Sequence, residues 1–115
     1  MTTKQKQKNE EAVNAFVANK NVIGGNEMVK IIKADVSYTN HKTGKVTILS
    51  STEIYVSTVI PYGGYTVSVA ELQDKEGCFV EHNTNFNTFT CSNEQLTING
   101  KDNTGIKGDY TLVLS

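Results

Sequence analysis

The sequence predicts an α+β domain in which one N-terminal helix packs on an antiparallel β-sheet of six or seven strands. Apolar residues recur at helical spacing near the N-terminus, the period changes to two from Met28 onward, and turn signals then separate short strands. The 115 residues suffice for one domain with its own hydrophobic core. We expect the sheet to be a meander, with a sandwich and a partial barrel as alternatives.

The N-terminal region is predicted to contain a tail and a short helix. Residues 1–8 are polar and lysine-rich, so we interpret them as a mobile tail before a single β-rich domain, residues 9–115. Asn9 is the predicted N-cap, and an apolar seam follows it, formed by Val13, Phe16 and Val17. A helix of about three turns is unstable alone in water, so it must dock on the sheet. Residues 21–26, which include two glycines, are interpreted as the segment that ends the helix.

Three strands are predicted between residues 28 and 60. The first spans residues 28–38, and its inner face carries Ile32, Ala34, Val36 and Tyr38. The second spans residues 45–50, with Val46 and Ile48 pointing inward. The third spans residues 53–60, and its inner face carries Ile54, Val56 and Ile60.

A loop of four residues, 61–64, is predicted to connect the third strand to a fourth strand at residues 65–72. In this register Val56 pairs with Val69. The loop and the residue after it read Tyr62, Gly63, Gly64 and Tyr65, a composition typical of recognition loops because tyrosine supplies contact area at low entropic cost. The alternative is that Tyr65 caps the core and Tyr62 lies flat on the surface.

A β-hairpin with its tip at Thr84 and Asn85 is predicted next. It places Cys78 opposite Cys91, which predicts a cross-strand disulfide if the compartment is oxidising; two buried thiols are the alternative. Phe79 and Phe86 fall on the other face, where they would form an apolar patch for a partner or for self-association if the helix leaves them uncovered.

The chain is predicted to end in two strands, residues 95–98 and 109–114, joined by a wide polar loop. The last strand carries Tyr110, Leu112 and Leu114 on one face. This alternation predicts that the C-terminal strand contributes to the core.

Composition argues against several classes of partner. The net charge is −1 and all eleven basic residues are lysine, so the chain has no arginine fork for phosphate or guanine, and we expect no nucleic-acid partner. No apolar run is long enough to span a membrane, and the start lacks the apolar core of a signal peptide. As written, the chain is predicted to be cytoplasmic; a secreted or virion-associated protein is the alternative if the first methionine was added.

The residues capable of catalysis or metal binding form no recognisable motif. The two histidines, His41 and His82, have no assignable partner, and the spacing of the cysteines and histidines matches no paired zinc-ligand pattern. We therefore predict no metal, no cofactor and no nameable catalytic residue, although the twelve carboxylates leave a small enzyme as an alternative.

The leading functional hypothesis is a non-enzymatic protein-binding domain that uses a strand edge or a hairpin tip. A phage or mobile-element inhibitor of a host factor fits this class, because a chain rich in Asn, Thr, Lys and Ile without Arg is what an AT-rich coding genome tends to produce. A structural subunit of a virion or surface assembly fits equally. A small-molecule or carbohydrate binder, with its ligand inside the curled sheet, is a further alternative.

Overall fold

A computed structural model describes residues 3–57, 65–73, 80–82, 88–92, 94–100 and 109–115 of the chain. The predicted fold class is confirmed, because one N-terminal helix packs on an antiparallel sheet curled into a half-barrel. The elements in chain order are α1 (Thr3–Ala18), β1 (Val22–Gly25), β2 (Val29–Asn40), β3 (Val46–Ser57), β4 (Thr66–Val69), α2 (Ala70–Gln73), β5 (Val80–His82), β6 (Thr88–Ser92), β7 (Gln95–Gly100) and β8 (Tyr110–Leu114).

The sheet is ordered β5-β4-β3-β2-β8-β7-β6, and β1 pairs with β2 outside this path. Every pairing is antiparallel. Strand β2 is long enough to pair on one side with β3 along most of its length, and on the other side with β1 at its start and β8 at its end. The N-terminal and C-terminal strands therefore meet on the same side of β2.

Helix α1 covers the sheet at its β6 and β7 end. Its apolar seam is buried as predicted: Val13 and Phe16 are 1% and 0% exposed, and Val17 packs against the same core. The predicted helix start is wrong, because α1 begins at Thr3 and residues 3–8, predicted as a tail, are helical. Asn9 consequently lies inside the helix instead of capping it. In the part of the chain that the structure describes, no helix has the length and apolarity needed to cross a membrane.

Asn9 ties the helix to the edge of the sheet. Its side chain is 0% exposed, and its Oδ1 accepts a hydrogen bond from the backbone N–H of Phe89 in β6 at 3.2 Å. This bond satisfies a backbone donor that the helix shields from water, and a buried donor left without a partner is costly. The position that the sequence suggested as a cap is thus a tertiary contact.

We expect Asn9→Ala to lower the free energy of unfolding by about 2 kcal/mol, because it leaves the buried Phe89 N–H without its acceptor. Urea denaturation followed by circular dichroism measures the change. Asn19→Ala is the control, since the Asn19 side chain is exposed and bonds only to the Ala15 carbonyl within the same turn. Equal losses at both positions would show that the contact to β6 contributes nothing.

Strand β2 has the predicted inner face. Its four alternating apolar residues are at most 4% exposed, namely Ile32, Ala34, Val36 and Tyr38. The two separate strands predicted after it are one continuous strand, β3, which pairs with β2 through a register shift opposite Asp35. At this β-bulge the Asp35 Oδ1 accepts the backbone N–H of Ser51 at 2.8 Å, and Ser51 adopts a positive φ of 49°.

The bulge inverts the prediction for the first half of β3. One extra residue moves every side chain before it to the opposite face. Val46 and Ile48, predicted to point inward, are 51% and 73% exposed, whereas Leu49 is buried. Beyond the bulge the prediction is confirmed, because Ile54 and Val56 are 0% exposed.

The fourth strand pairs with β3 two residues away from the predicted register. Val56 pairs with Val67 and Ile54 pairs with Val69, so the predicted pair of Val56 with Val69 is wrong. A shift by two preserves the face, so the same side chains remain inside. The strand also ends earlier than predicted, at Val69, and the buried Leu72 belongs to the short helix α2.

Among the described residues, the two arms of the predicted cysteine hairpin do not pair with each other: β5 pairs with β4, and β6 pairs with β7. Cys91 pairs with Leu96 of β7. Cys78 and the predicted tip, Thr84 and Asn85, lie outside the described residues, so the disulfide stays a prediction.

The two C-terminal strands are as predicted. Strand β7 pairs with β8, and Gly100 lies opposite Tyr110; the wide loop predicted between them, residues 101–108, lies outside the described residues. The last strand buries Tyr110, Leu112 and Leu114. These side chains join those of β2, β3 and α1 in one core on the concave face of the half-barrel.

Candidate functional site

Most of the residues predicted to form a binding site lie outside the described part of the chain. These are Tyr62, Gly63, Gly64, Phe79 and Phe86, together with the disulfide candidate Cys78. The two that are described, Tyr65 and Cys91, do not lie near each other in the sheet order, because they belong to opposite ends of it. Of the predicted residues, the structure therefore describes only Tyr65 and Cys91, and it places these two apart.

Tyr65 is a core residue. It is 7% exposed, and its hydroxyl donates a hydrogen bond to Asn14 Oδ1 of α1 at 3.2 Å. Burial raises the pKa of this phenol above its usual value, and the nearby Glu10 carboxylate raises it further. The contact links the start of β4 to the helix, so Tyr65 holds the fold together instead of presenting a ring to a partner.

Exposed apolar side chains mark a different segment. Among the described residues five large hydrophobic side chains are about half exposed or more, and three of them lie within residues 22–28: Val22, Ile23 and Met28, at 52%, 49% and 53%. This segment is β1 with the turn that follows it. A concentration of apolar surface in a few residues is typical of an interaction site, whereas single exposed hydrophobic residues are ordinary.

The turn after β1 fixes this segment in place. Asn26 Oδ1 accepts the backbone N–H groups of Met28 and Val29 at 2.7 and 2.9 Å, which forms an Asx turn. Gly25 has φ of +93°, and a Cβ there would overlap the carbonyl oxygen of Val29. The residue types in the turn therefore determine the conformation that folds β1 back against β2 and leaves Met28 at the tip.

Strand β1 has one paired edge and one edge that faces no other described strand. Its register with β2 shifts between Val22 and Gly24, so Ile23 is the extra residue of a β-bulge. A bulge turns adjacent side chains out of strict alternation, which explains why Val22 and Ile23 are both half exposed. The strand contains no charge and no proline, the two features that commonly protect a sheet edge from pairing with another chain.

A second apolar pair lies on the convex face of the sheet. Val46 and Ile48 point outward from β3, next to Ser37 and Thr39 of β2. The same face continues over β8 and β7 with uncharged residues only, namely Thr111, Val113, Thr97 and Asn99. Among the described residues, Val46 and Ile48 are the most exposed apolar side chains of this face, since Val113 is partly buried.

Hydrogen bonds hold the end of this convex face. The Thr111 hydroxyl donates to Asn99 Oδ1 at 2.8 Å, so its oxygen accepts the bond from His41 Nε2, also at 2.8 Å. On β3 the Tyr55 hydroxyl donates to Glu53 Oε2 at 3.1 Å, and this bond raises the pKa of the phenol. These groups pair with one another in surface networks typical of solvated sheet faces.

An open groove of about 370 Å³ lies between α1 and β6. Alanines of the helix and Phe89 form its apolar part, and Lys8 and Glu11 lie at its polar rim. Cys91 also lines it as a half-buried free thiol. Within the described residues, no group of three or more His, Cys, Asp or Glu side chains converges to hold a metal ion.

Sequence reasoning missed β1 because residues 21–26 read as a helix terminator. The two glycines conceal a strand that is formed by pairing with β2 and not by strand propensity. The signal that could have revealed it is the apolar pair Val22 and Ile23, which has no place in a polar linker.

Comparisons of the chain with protein-family models, with curated proteins and with solved structures found no match.

Proposed function

We propose that the chain is a non-enzymatic protein-binding domain, and that its partner adds an extended segment to the outer edge of β1. The observation that carries this proposal is the concentration of exposed apolar residues in β1 and the turn after it, at Val22, Ile23 and Met28. Strand β1 pairs with one other described strand, β2. Strand addition combines main-chain hydrogen bonds at the edge with side-chain contacts on the faces, and β1 offers both.

Two further observations support a binding role at this edge over the other classes of function. The concave face, where a ligand inside the curled sheet would lie, is filled by core side chains including Phe16 and Tyr38, each 0% exposed. The groove between α1 and β6 is open, and the reactive or charged groups that line it are one thiol and two rim charges of opposite sign. As far as the described residues show, neither place offers the enclosed cavity with converging polar groups that a small ligand requires.

Within the protein-binding class, the role that we propose is a phage or mobile-element inhibitor of a host factor, with a structural subunit of a virion or surface assembly as the alternative. Both depend on the composition, which is rich in Asn, Thr and Lys and has no Arg. An inhibitor binds a protein from another genome, whereas a structural subunit binds its own assembly. The identity of the captured partner therefore separates them.

The test is capture of partner proteins with Ile23→Lys and Ile48→Lys variants beside the wild-type chain. Both replace an exposed isoleucine, 49% or 73% exposed, by the same charged residue, but only Ile23 lies on β1. Lysine on an edge strand opposes pairing with a second strand. We expect the wild type and Ile48→Lys to capture a protein in defined stoichiometry from a lysate of the native host, and Ile23→Lys to lose at least about tenfold in affinity.

Capture that is equal for all three chains would assign binding to another surface. Capture that fails for all three, under conditions that preserve complexes, would count against a protein-binding function. Circular dichroism of each variant verifies that the lysine has not unfolded the chain, since both positions are solvent-exposed.

A further inference from the structure

We propose that the partner strand at the edge of β1 is β1 of a second copy of this chain, paired antiparallel about a two-fold axis between Ile23 and Gly24. This inference rests on the proposed function, because it names the occupant of the same edge. The distribution of charge and side-chain size along residues 20–27 supports it.

The segment is chemically complementary to itself when it is reversed. It reads Lys-Asn-Val-Ile-Gly-Gly-Asn-Glu, so a basic residue and an amide precede the apolar half, and an amide and an acidic residue follow the glycine half. Antiparallel pairing of two copies sets the apolar half of each strand beside the glycines of the other. The bulky side chains then meet open space on the partner strand instead of each other, and no charge is buried.

The charges at the two ends select the antiparallel orientation. Pairing about the midpoint between Ile23 and Gly24 places Lys20 of each copy opposite Glu27 of the other copy, while parallel pairing would set Lys20 beside Lys20 and Glu27 beside Glu27. Opposite charges across paired strands are favourable and like charges are unfavourable. A two-fold axis makes each favourable contact twice, as in any isologous dimer.

Both charged residues are placed to act at this edge. Glu27 is exposed in the turn between β1 and β2. Lys20 directly precedes the strand, and its Nζ lies 5.1 Å from the centre of the Phe16 ring, which orients the side chain at the end of α1. The two charges therefore flank β1 without lying on the four residues that would pair.

The size of the edge predicts a weak dimer. Four residues of strand with flanking contacts bury less than the roughly 1,200 Å² of total area that stable interfaces reach. We therefore expect a dissociation constant of about 100 µM, with rapid exchange between monomer and dimer. Such an equilibrium is seen only when the protein concentration is varied.

Sedimentation of the full chain from about 10 µM to about 1 mM tests the proposal, using the wild type, Lys20→Glu, Glu27→Lys and the double charge reversal. We expect the wild-type mass to rise from 12.6 kDa toward twice that value. Each single reversal creates two like-charge contacts and should weaken the dimer about tenfold. The double reversal restores opposite charges and should return to within about threefold of the wild type. Glu27→Lys is the cleaner single variant, because Lys20 also contacts Phe16.

A wild type that remains at 12.6 kDa throughout would overturn the inference, and so would a dimer that all three variants leave unchanged. These results differ from failure of the proposed function. A monomeric chain whose capture of a different protein depends on Ile23 keeps the binding function and assigns the edge to that protein. A chain that neither dimerises nor captures a protein through Ile23 loses both.

Discussion

Replacing Phe16 by alanine is expected to lower the free energy of unfolding by about 4 kcal/mol, which is a large part of the stability of a domain of this size. Phe16 is 0% exposed and belongs to the seam through which α1 joins the core. Its removal loses the free energy gained by moving a phenyl ring from water into the core. It also leaves a cavity that the close-packed core cannot fill by small shifts of its neighbours. The helix would then lose its main attachment to the concave face.

Urea denaturation followed by circular dichroism measures this loss, and Ile48→Ala provides the control. Ile48 is 73% exposed on the convex face, so truncating it should change the free energy of unfolding by less than about 0.5 kcal/mol. Similar losses at the two positions would contradict the assignment of the core to the concave face. Stability that is unchanged by Phe16→Ala would mean that α1 is not docked through its seam.

Replacing Gly25 by alanine is the second change with a large expected effect, about 3 kcal/mol. Gly25 combines φ of +93°, which side-chain-bearing residues rarely adopt, with a backbone contact that leaves no room for a Cβ. The substitution must move the chain away from Val29, and this opens the turn that returns β1 to β2. We expect β1 to detach and the edge-dependent association to be lost with it.

Gly24→Ala is the matched control for Gly25→Ala. A Cβ at Gly24 would lie 3.5 Å from Ile31 Cδ1, an ordinary van der Waals contact. We expect its free energy of unfolding to change by less than about 0.5 kcal/mol and its sedimentation to match that of the wild type. Hydrogen exchange of the β1 and β2 amides separates local opening of the hairpin from global loss of stability. Protection of β1 amides that survives in Gly25→Ala would disprove the role assigned to this glycine.

The alternation of apolar residues predicted the core wherever a strand is regular. Strand β2 and the C-terminal strand β8 buried the residues expected from a period of two, because a side chain's face depends only on its parity along an unbroken strand. The same reasoning failed at Val46 and Ile48, since the bulge at Ser51 changes parity between them and Ile54. The bulge is stabilised by Asp35 of the neighbouring strand, a contact that the local sequence does not reveal.

The two described arms of the predicted cysteine hairpin show a related effect. Mirror symmetry about Thr84 and Asn85 is a local property, while the strands β5 and β6 each pair with a different neighbour, β4 and β7. The pairing partners of a strand depend on the whole sheet, because contacts with both neighbouring strands and burial of one face all stabilise it. A symmetric sequence alone therefore did not determine which strands meet.

The candidate binding edge was the least predictable part of the molecule. Val22 and Ile23 are apolar in the sequence, but their exposure depends on the pairing of β1 with β2 and on the bulge at Ile23. Tyr65 shows the reverse case. The sequence left open a recognition ring or a cap on the core, and a hydrogen bond to Asn14 and a place in the core make Tyr65 structural.

By itself the sequence determined the class of the fold, the seam of the helix and the inner faces of the regular strands. The spacing of apolar residues along the chain directly shows the period of a helix or of a strand. Tertiary structure decided the start of the helix, the bulge in β3, the neighbours of β5 and β6, and the exposed edge of β1. Those features depend on contacts between residues far apart in the chain, such as Asn9 with Phe89 and Asp35 with Ser51. Such contacts form only when the sheet brings distant segments together.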